Sequence, residues 1–144
     1  MSGFPSILPS AASDPGAGER SGSGTGRGSA VVLVEDDAAL LSALSFSLGI
    51  EGHEVFAYSS AEAMLADGLP SGAICLVVDQ QLPGMSGLDL VETLRDAGLS
   101  QPAILITGRL NREARARAHA IGIRVVDKPL MGNALSEAIN QLLS

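Results

Sequence analysis

Four short, mainly apolar runs and one alternating stretch punctuate the chain from residue 30 onward: VVLV (31–34), ICLVV (74–78), AILI (103–106) and IRVV (123–126), with HEVFAY (53–58) alternating. Runs this short and this rich in β-branched residues read as strands, and the continuous ones as strands buried on both faces of a sheet. Between them stand segments with helical signals. Asp37 is placed to cap a helix through about Leu48, with Leu40, Leu41, Leu44 and Leu48 at helical spacing and Gly49 and Gly52 as its stop. Ser59 and Glu62 form a capping-box pattern for a second helix, ending near Gly68-Leu69-Pro70. Ser86 is placed to cap a third, Leu88–Ala97, closed by Gly98. A fourth, Asn111–Ile121, is mostly Arg and Ala. A fifth, Leu130–Leu143, turns Leu135, Ala138, Ile139 and Leu142 inward.

Five strands alternating with five helices predict an α/β fold with a parallel sheet covered on both faces. Right-handed crossovers make it doubly wound, and the flavodoxin-like strand order 2-1-3-4-5 is expected. In such sheets ligands bind at the carboxyl edge, where the strand order reverses. Here that point lies between the first and third strands, which end at Glu35-Asp36-Asp37 and at Asp79. Thr107 follows the fourth strand and Asp127-Lys128-Pro129 the fifth, so the topology gathers all of these at one edge.

Several carboxylates at close quarters repel one another, and a hard divalent cation resolves the repulsion. Mg²⁺ takes one or two carboxylates and keeps water positions for an incoming phosphate. Held beside Asp79, it favours phosphoryl transfer to that carboxylate, a reaction run by positioning and electrostatics. Thr107 offers a hydroxyl donor. Lys128, the only lysine beside eight arginines, offers a compact positive charge. Pro129 restricts it to extended geometry.

Plainer roles account for the remaining polar residues. Asp37 reads as a helix cap and Asp127 as a loop or capping residue. His53 and His119 read as exposed, and neither has a metal-ligand spacing partner. Met64, Met85 and Met131 read as core filler. Cys75 lies inside the third strand and reads as a buried structural thiol; as the single cysteine, it allows no disulfide within the chain.

Composition narrows the function classes. Residues 1–29 are rich in Gly, Ser, Pro and Ala and read as a flexible tail, leaving residues 30–144 as the domain. Asp14 and Glu19 balance Arg20 and Arg27, so the domain carries the whole net charge of -7. That argues against direct nucleic-acid binding, which needs a basic surface. The series Arg109, Arg112, Arg115, Arg117 is too short and mixed to change this. The apolar runs are too short to span a membrane, and no signal-peptide pattern opens the chain. A cytoplasmic location is expected.

Four stretches, VVLVEDD (31–37), VVDQQLPGMSGLDL (77–90), ILITG (104–108) and DKP (127–129), resemble in sequence and order the receiver domain of two-component response regulators. The resemblance covers about Val31 to Leu143. It implies that Asp79 is the phosphoacceptor. It implies that Glu35 and Asp36 handle Mg²⁺, with Asp36 the direct ligand of the two, and that the backbone carbonyl of Gln81 is a further ligand. Thr107 matches the switch hydroxyl and Lys128 the lysine that pairs with phosphate. A histidine kinase or phosphotransfer protein would donate the phosphoryl group. With no output segment after Ser144, a stand-alone receiver is expected. It would signal by passing the phosphoryl group on or by binding a partner at the face of helix 4, strand 5 and helix 5.

Two departures from the family pattern stand out. Val125 occupies the place of a frequent aromatic switch residue. Gly108 follows Thr107 where alanine is frequent, and the Thr107–Lys128 segment is slightly short. Gln81 and Arg109 occupy positions that tune the lifetime of the phosphoryl group in the family. Two other readings compete: a receiver-like binding scaffold that never uses phosphate, and an Mg²⁺-dependent phosphohydrolase. The second usually needs an acid two residues after the nucleophile, where this chain has Gln81.

Overall fold

In the computed structural model, which describes residues 30–108, 111–130 and 133–143, each apolar run forms a strand. The elements follow in strict alternation: β1 (Ala30–Val34), α1 (Ala38–Ile50), β2 (Glu54–Tyr58), α2 (Ala61–Asp67), β3 (Ala73–Asp79), α3 (Gly87–Asp96), β4 (Ala103–Thr107), α4 (Arg112–Ala120), β5 (Arg124–Asp127) and α5 (Ala134–Leu143). All neighbouring strands pair in parallel. Their order is β2-β1-β3-β4-β5, as the sequence predicts. The predicted tail, residues 1–29, lies outside the described residues, as do Arg109 and Met131.

Alternation along each strand splits the core in two. Val32, Val34, Leu76, Val78 and Leu105 pack with Met64 of α2, Leu88, Leu90, Val91 and Leu94 of α3 and Ala118 of α4. Val31, Leu33, Cys75, Val77, Ile104 and Ile106 pack with Leu48 of α1 and Leu135, Ala138 and Ile139 of α5. The sheet is therefore sealed on both faces, which explains why its strands lack the polar-out alternation of a one-sided sheet. Each fully buried aliphatic side chain contributes about 1.5–3 kcal/mol. Among the described residues, no helix is long and apolar enough to cross a membrane.

Helix starts follow the predicted caps with one exception. Asp37 and Ser86 accept from the Leu40 and Asp89 backbone N–H groups, both at 3.1 Å; Asn111, expected as the first residue of the fourth helix, is instead its cap and accepts from the Ala114 N–H at 2.7 Å. The second helix is capped by Ser60, which accepts from Ala63 N at 3.0 Å, and not by Ser59. Glu62 does not close a capping box; its carboxylate accepts from Met85 N, in the loop after β3, at 2.9 Å. Two other boundaries differ. Gly49 lies inside α1, which runs on to Ile50, and the turn falls at Gly52, with φ 97°. Helix α5 starts at Ala134 and not at Leu130, which packs against the α1/α5 side of the core ahead of the helix.

The other plain readings hold with two corrections, the first being that Asp127 is not a loop or capping residue but ends β5, because the ladder to β4 runs on to its pairing with Thr107. Met64 is fully buried, Met85 packs at the edge of the α2–α4 core, and His119 is exposed. His53 is half-buried with its Nδ1 enclosed, because it sits where the chain turns from α1 into β2. Arg117 of α4 pairs with Glu92 (2.6 Å) and Asp89 (3.2 Å) of α3, and Arg115 lies 3.7 Å from Asp127. These arginines tie helices and strand ends together rather than forming a free basic stripe.

Candidate functional site at the carboxyl edge

Register builds the site. Val34 of β1 pairs with Val78 of β3, so Glu35 and Asp79, one residue further on, end side by side at the switch point. Asp79 pairs with Ile106 of β4, and Thr107 of β4 with Asp127 of β5. The Lys128 N–H donates to the Thr107 carbonyl at 2.8 Å, which brings the lysine back over the strand ends. Its Nζ reaches across β4 to lie 3.3 Å from Asp79 Oδ1 and 3.4 Å from Glu35 Oε1.

Three of these polar residues are enclosed: Glu35, Asp79 and Thr107 are 1%, 2% and 0% exposed. Asp36 is exposed, beside them. One carboxylate oxygen from each of Glu35, Asp36 and Asp79 lies within 4.8 Å of the others. Glu35 Oε2 accepts from the Asp37 N–H at 3.0 Å. Glu35 Oε1 and Asp79 Oδ1 are buried and make no hydrogen bond. The Lys128 separations exceed the 2.7–2.9 Å usual for a charge-assisted bond, so the ammonium compensates charge without capping either oxygen.

The electrostatics follow. Burial raises the Glu35 pKa above the usual carboxylate range, and the neighbouring Asp79 charge adds to this; the Asp37 N–H and Lys128 offset only part of it. Burial works against the Lys128 charge, but Asp79 and Glu35 together outweigh it and hold the ammonium above the usual lysine value. Three carboxylates thus face one lysine, whose ammonium approaches two buried oxygens only at 3.3 and 3.4 Å. That donor set fits a hard divalent cation such as Mg²⁺.

Gln81 is exposed in the loop between β3 and α3. Val125 is half-buried against the α2–α4 side of the core, so the aromatic switch position carries a small aliphatic side chain. The Gly108 departure costs no space: an added Cβ would meet only Lys128 Cβ, at 3.8 Å. Two residues escaped the sequence reading. Glu62 has the spacing of a local cap but bonds Met85 N in the β3–α3 loop. Gln80 carried no signal that set it apart from Gln81.

A doubly wound sheet with an acidic crevice at its switch point and a lysine reaching over it defines an α/β domain whose carboxyl edge suits a divalent cation. Residues 31–140 match the response regulator receiver domain, and the chain belongs to that family. It is 38% identical over 114 residues to the two-component response regulator PhoP of Pseudomonas aeruginosa, covering 78% of this chain and 51% of that protein. It is 32% identical over 114 residues to the transcriptional regulatory protein FixJ of Azorhizobium caulinodans, covering 78% and 54%. The chain spans about half the length of the curated relatives it matches. Among solved structures, a CheY-like response regulator receiver domain protein from Methanospirillum hungatei superimposes with a TM-score of 0.74 at 27% identity, covering 79% of this chain and 92% of that one.

Proposed function

We propose that Asp79 accepts a phosphoryl group from a histidine kinase or phosphotransfer protein, with Mg²⁺ held by Glu35, Asp36, Asp79 and the Gln81 carbonyl. The observation that carries this reading is the pair of buried oxygens without hydrogen bonds, Asp79 Oδ1 and Glu35 Oε1, under the one ammonium that reaches both. A bound divalent cation supplies charge neutralisation between the acidic cluster and the incoming phosphoryl oxygens. The chain's own residues do the rest. An Asp79 oxygen attacks phosphorus as the donor's bond to phosphorus breaks, and the donor leaves with the electron pair and takes up a proton. Lys128 exchanges part of its pairing with Asp79 for the phosphoryl oxygens. Thr107, at the end of the adjacent strand, supplies its hydroxyl to them.

Phosphorylation adds about −1.5 to −2 charges at this edge. Thr107 and Lys128 link that change to β4 and β5, and the output surface is the α4, β5 and α5 face, used for partner binding or phosphorelay. With Val125 on β5, this coupling does not pass through an aromatic side chain. The domain works as a signalling module in the cytoplasm rather than as an enzyme with small-molecule turnover, and it binds no nucleic acid directly.

The test is intact-mass spectrometry after incubation with acetyl phosphate, with and without Mg²⁺. The expected result is one adduct of about 80 Da that needs Mg²⁺ and is lost in Asp79→Asn. If neither acetyl phosphate nor a panel of histidine kinases yields an adduct while the fold is intact, the phosphate-independent scaffold takes precedence.

A further inference from the structure

The loop from β3 to α3 carries Gln81, and its geometry converges on one neighbouring residue, Gln80. The Gln80 N–H donates to the Ile106 carbonyl of β4 at 2.9 Å. Its own carbonyl accepts from Leu82 N at 3.1 Å and from Gly87 N at 3.2 Å. Its side-chain Oε1 accepts from Leu88 N, in the first turn of α3, at 2.8 Å. That donor fixes which end of the amide is the oxygen.

The consequences fall on Gln81. The bond from Leu82 N back to the Gln80 carbonyl closes a three-residue turn centred on Gln81. Leu82 is itself buried. Both neighbours of Gln81 are therefore pinned, and the peptide that carries its carbonyl has little freedom. The start of α3 is equally confined. An added Cβ on Gly87 would lie 2.4 Å from the Asp79 carbonyl oxygen, so the helix begins against the backbone of Asp79. Gln80 Oε1 is the side-chain contact that holds the head of the loop to that helix. Glu62, bonded to Met85 N, steadies the far part of the same loop.

We propose that Gln80 is a positioning residue for the cation site: by tying the loop to the first turn of α3 it presets the Gln81 carbonyl beside the Glu35, Asp36 and Asp79 carboxylates. This rests on the cation-binding reading above. A bland role is available, since Leu88 N is one of the amides every helix start leaves without a partner, and Gln80 satisfies it. The two roles differ in what a substitution moves. A cap contributes stability alone. A residue that supports a ligand changes metal affinity, typically by about 10- to 100-fold.

The experiment is calorimetric titration of Mg²⁺ into the unphosphorylated protein, beside urea unfolding without metal. Gln80→Met removes the acceptor at similar length. Gln80→Glu keeps it. Ser86→Ala removes the other α3 cap, the bond to Asp89 N, without touching the turn at Gln81. We expect Gln80→Met to bind Mg²⁺ about tenfold more weakly, with Gln80→Glu and Ser86→Ala within about twofold of the parent protein or tighter. Unchanged affinity in Gln80→Met overturns the inference, as does an equal loss in Ser86→Ala. Should Gln80→Met fail to fold, amide exchange in the parent protein decides: slow exchange at Leu82 and Leu88 supports the staple, and exchange at the rate of open loop overturns it. If the parent protein binds no Mg²⁺, the cation-binding reading itself fails and takes this inference with it.

Discussion

The Lys128 ammonium lies 3.3 Å from the Asp79 carboxylate although their strands are not neighbours; β4 runs between them. The same ammonium reaches Glu35, which follows β1. One side chain thus offsets two buried charges brought in by different strands. Breaking a fully buried pair from one side costs about 3–5 kcal/mol, and the 27% exposure of the lysine side chain reduces that. We expect Lys128→Met to lose about 2 kcal/mol in metal-free buffer and to recover part of it in millimolar Mg²⁺. Urea unfolding with and without Mg²⁺ checks this. Equal loss in both buffers would mean that the cation does not share the charge that Lys128 offsets.

Glu35 gives a signed pH dependence. Its folded pKa is raised, with burial as the main cause. The native state therefore holds this proton more tightly than the unfolded chain. The stability involved is fully present below the ordinary glutamate value of 4.5 and is lost as pH rises through the folded value. Glu35→Gln keeps an acceptor for the Asp37 N–H and carries no charge. It should exceed the parent protein in metal-free stability at pH 7 by roughly 1 kcal/mol, and the gap should shrink toward pH 5. Mg²⁺ should narrow it too, because the variant offers the cation one carboxylate fewer and gains less from binding it. Urea midpoints at the two pH values test the sign.

Gly87 is required for space and not for its φ. A Cβ there would lie 2.4 Å from the Asp79 carbonyl and 2.8 Å from Val78 Cγ1, and a backbone atom cannot swing aside. Gly87→Ala should cost about 1–3 kcal/mol by overpacking. Because the push falls on Asp79 itself, phosphorylation by acetyl phosphate should slow as well. An alanine variant as stable and as fast as the parent protein would show that α3 has room to retreat.

Cys75 should be inert in the native protein. It is fully buried, and burial pushes its thiol up to about 11. A thiol reagent at pH 8 should label it only after unfolding, since thiolate and access are both lacking. The raised value predicts stability that is complete below pH 9.0 and lost as pH rises through about 11. The loss is on the order of 3 kcal/mol, and it should be absent in Cys75→Ala, whose denaturation midpoint should vary less between pH 9 and 11.

Most of the fold was readable because its signals are local. Strand identity follows from continuous apolar runs such as VVLV and ICLVV, and two helix starts from Asp37 and Ser86, each bonding an amide three residues on. The edge position of Glu35, Asp36, Asp79, Thr107 and Lys128 follows in turn from strand ends and topology. What the sequence could not assign were partners chosen across the fold. Glu62 has the spacing of a local cap, yet the packing of α2 delivers it to Met85, while Ser60 takes the cap. Leu130 has the period of the last helix, yet it packs on the core ahead of a helix that begins at Ala134. Gln80 and Gln81 are the same residue type in adjacent positions, and only the start of α3 gives one of them a bond to Leu88 N. Sequence by itself determined the alternation, the topology and which residues meet at the edge, since those depend on hydrophobic period and chain order. Tertiary structure alone decided how deeply Glu35 and Asp79 are buried and which distant donors reach them, because these depend on the angles at which helices settle on the sheet.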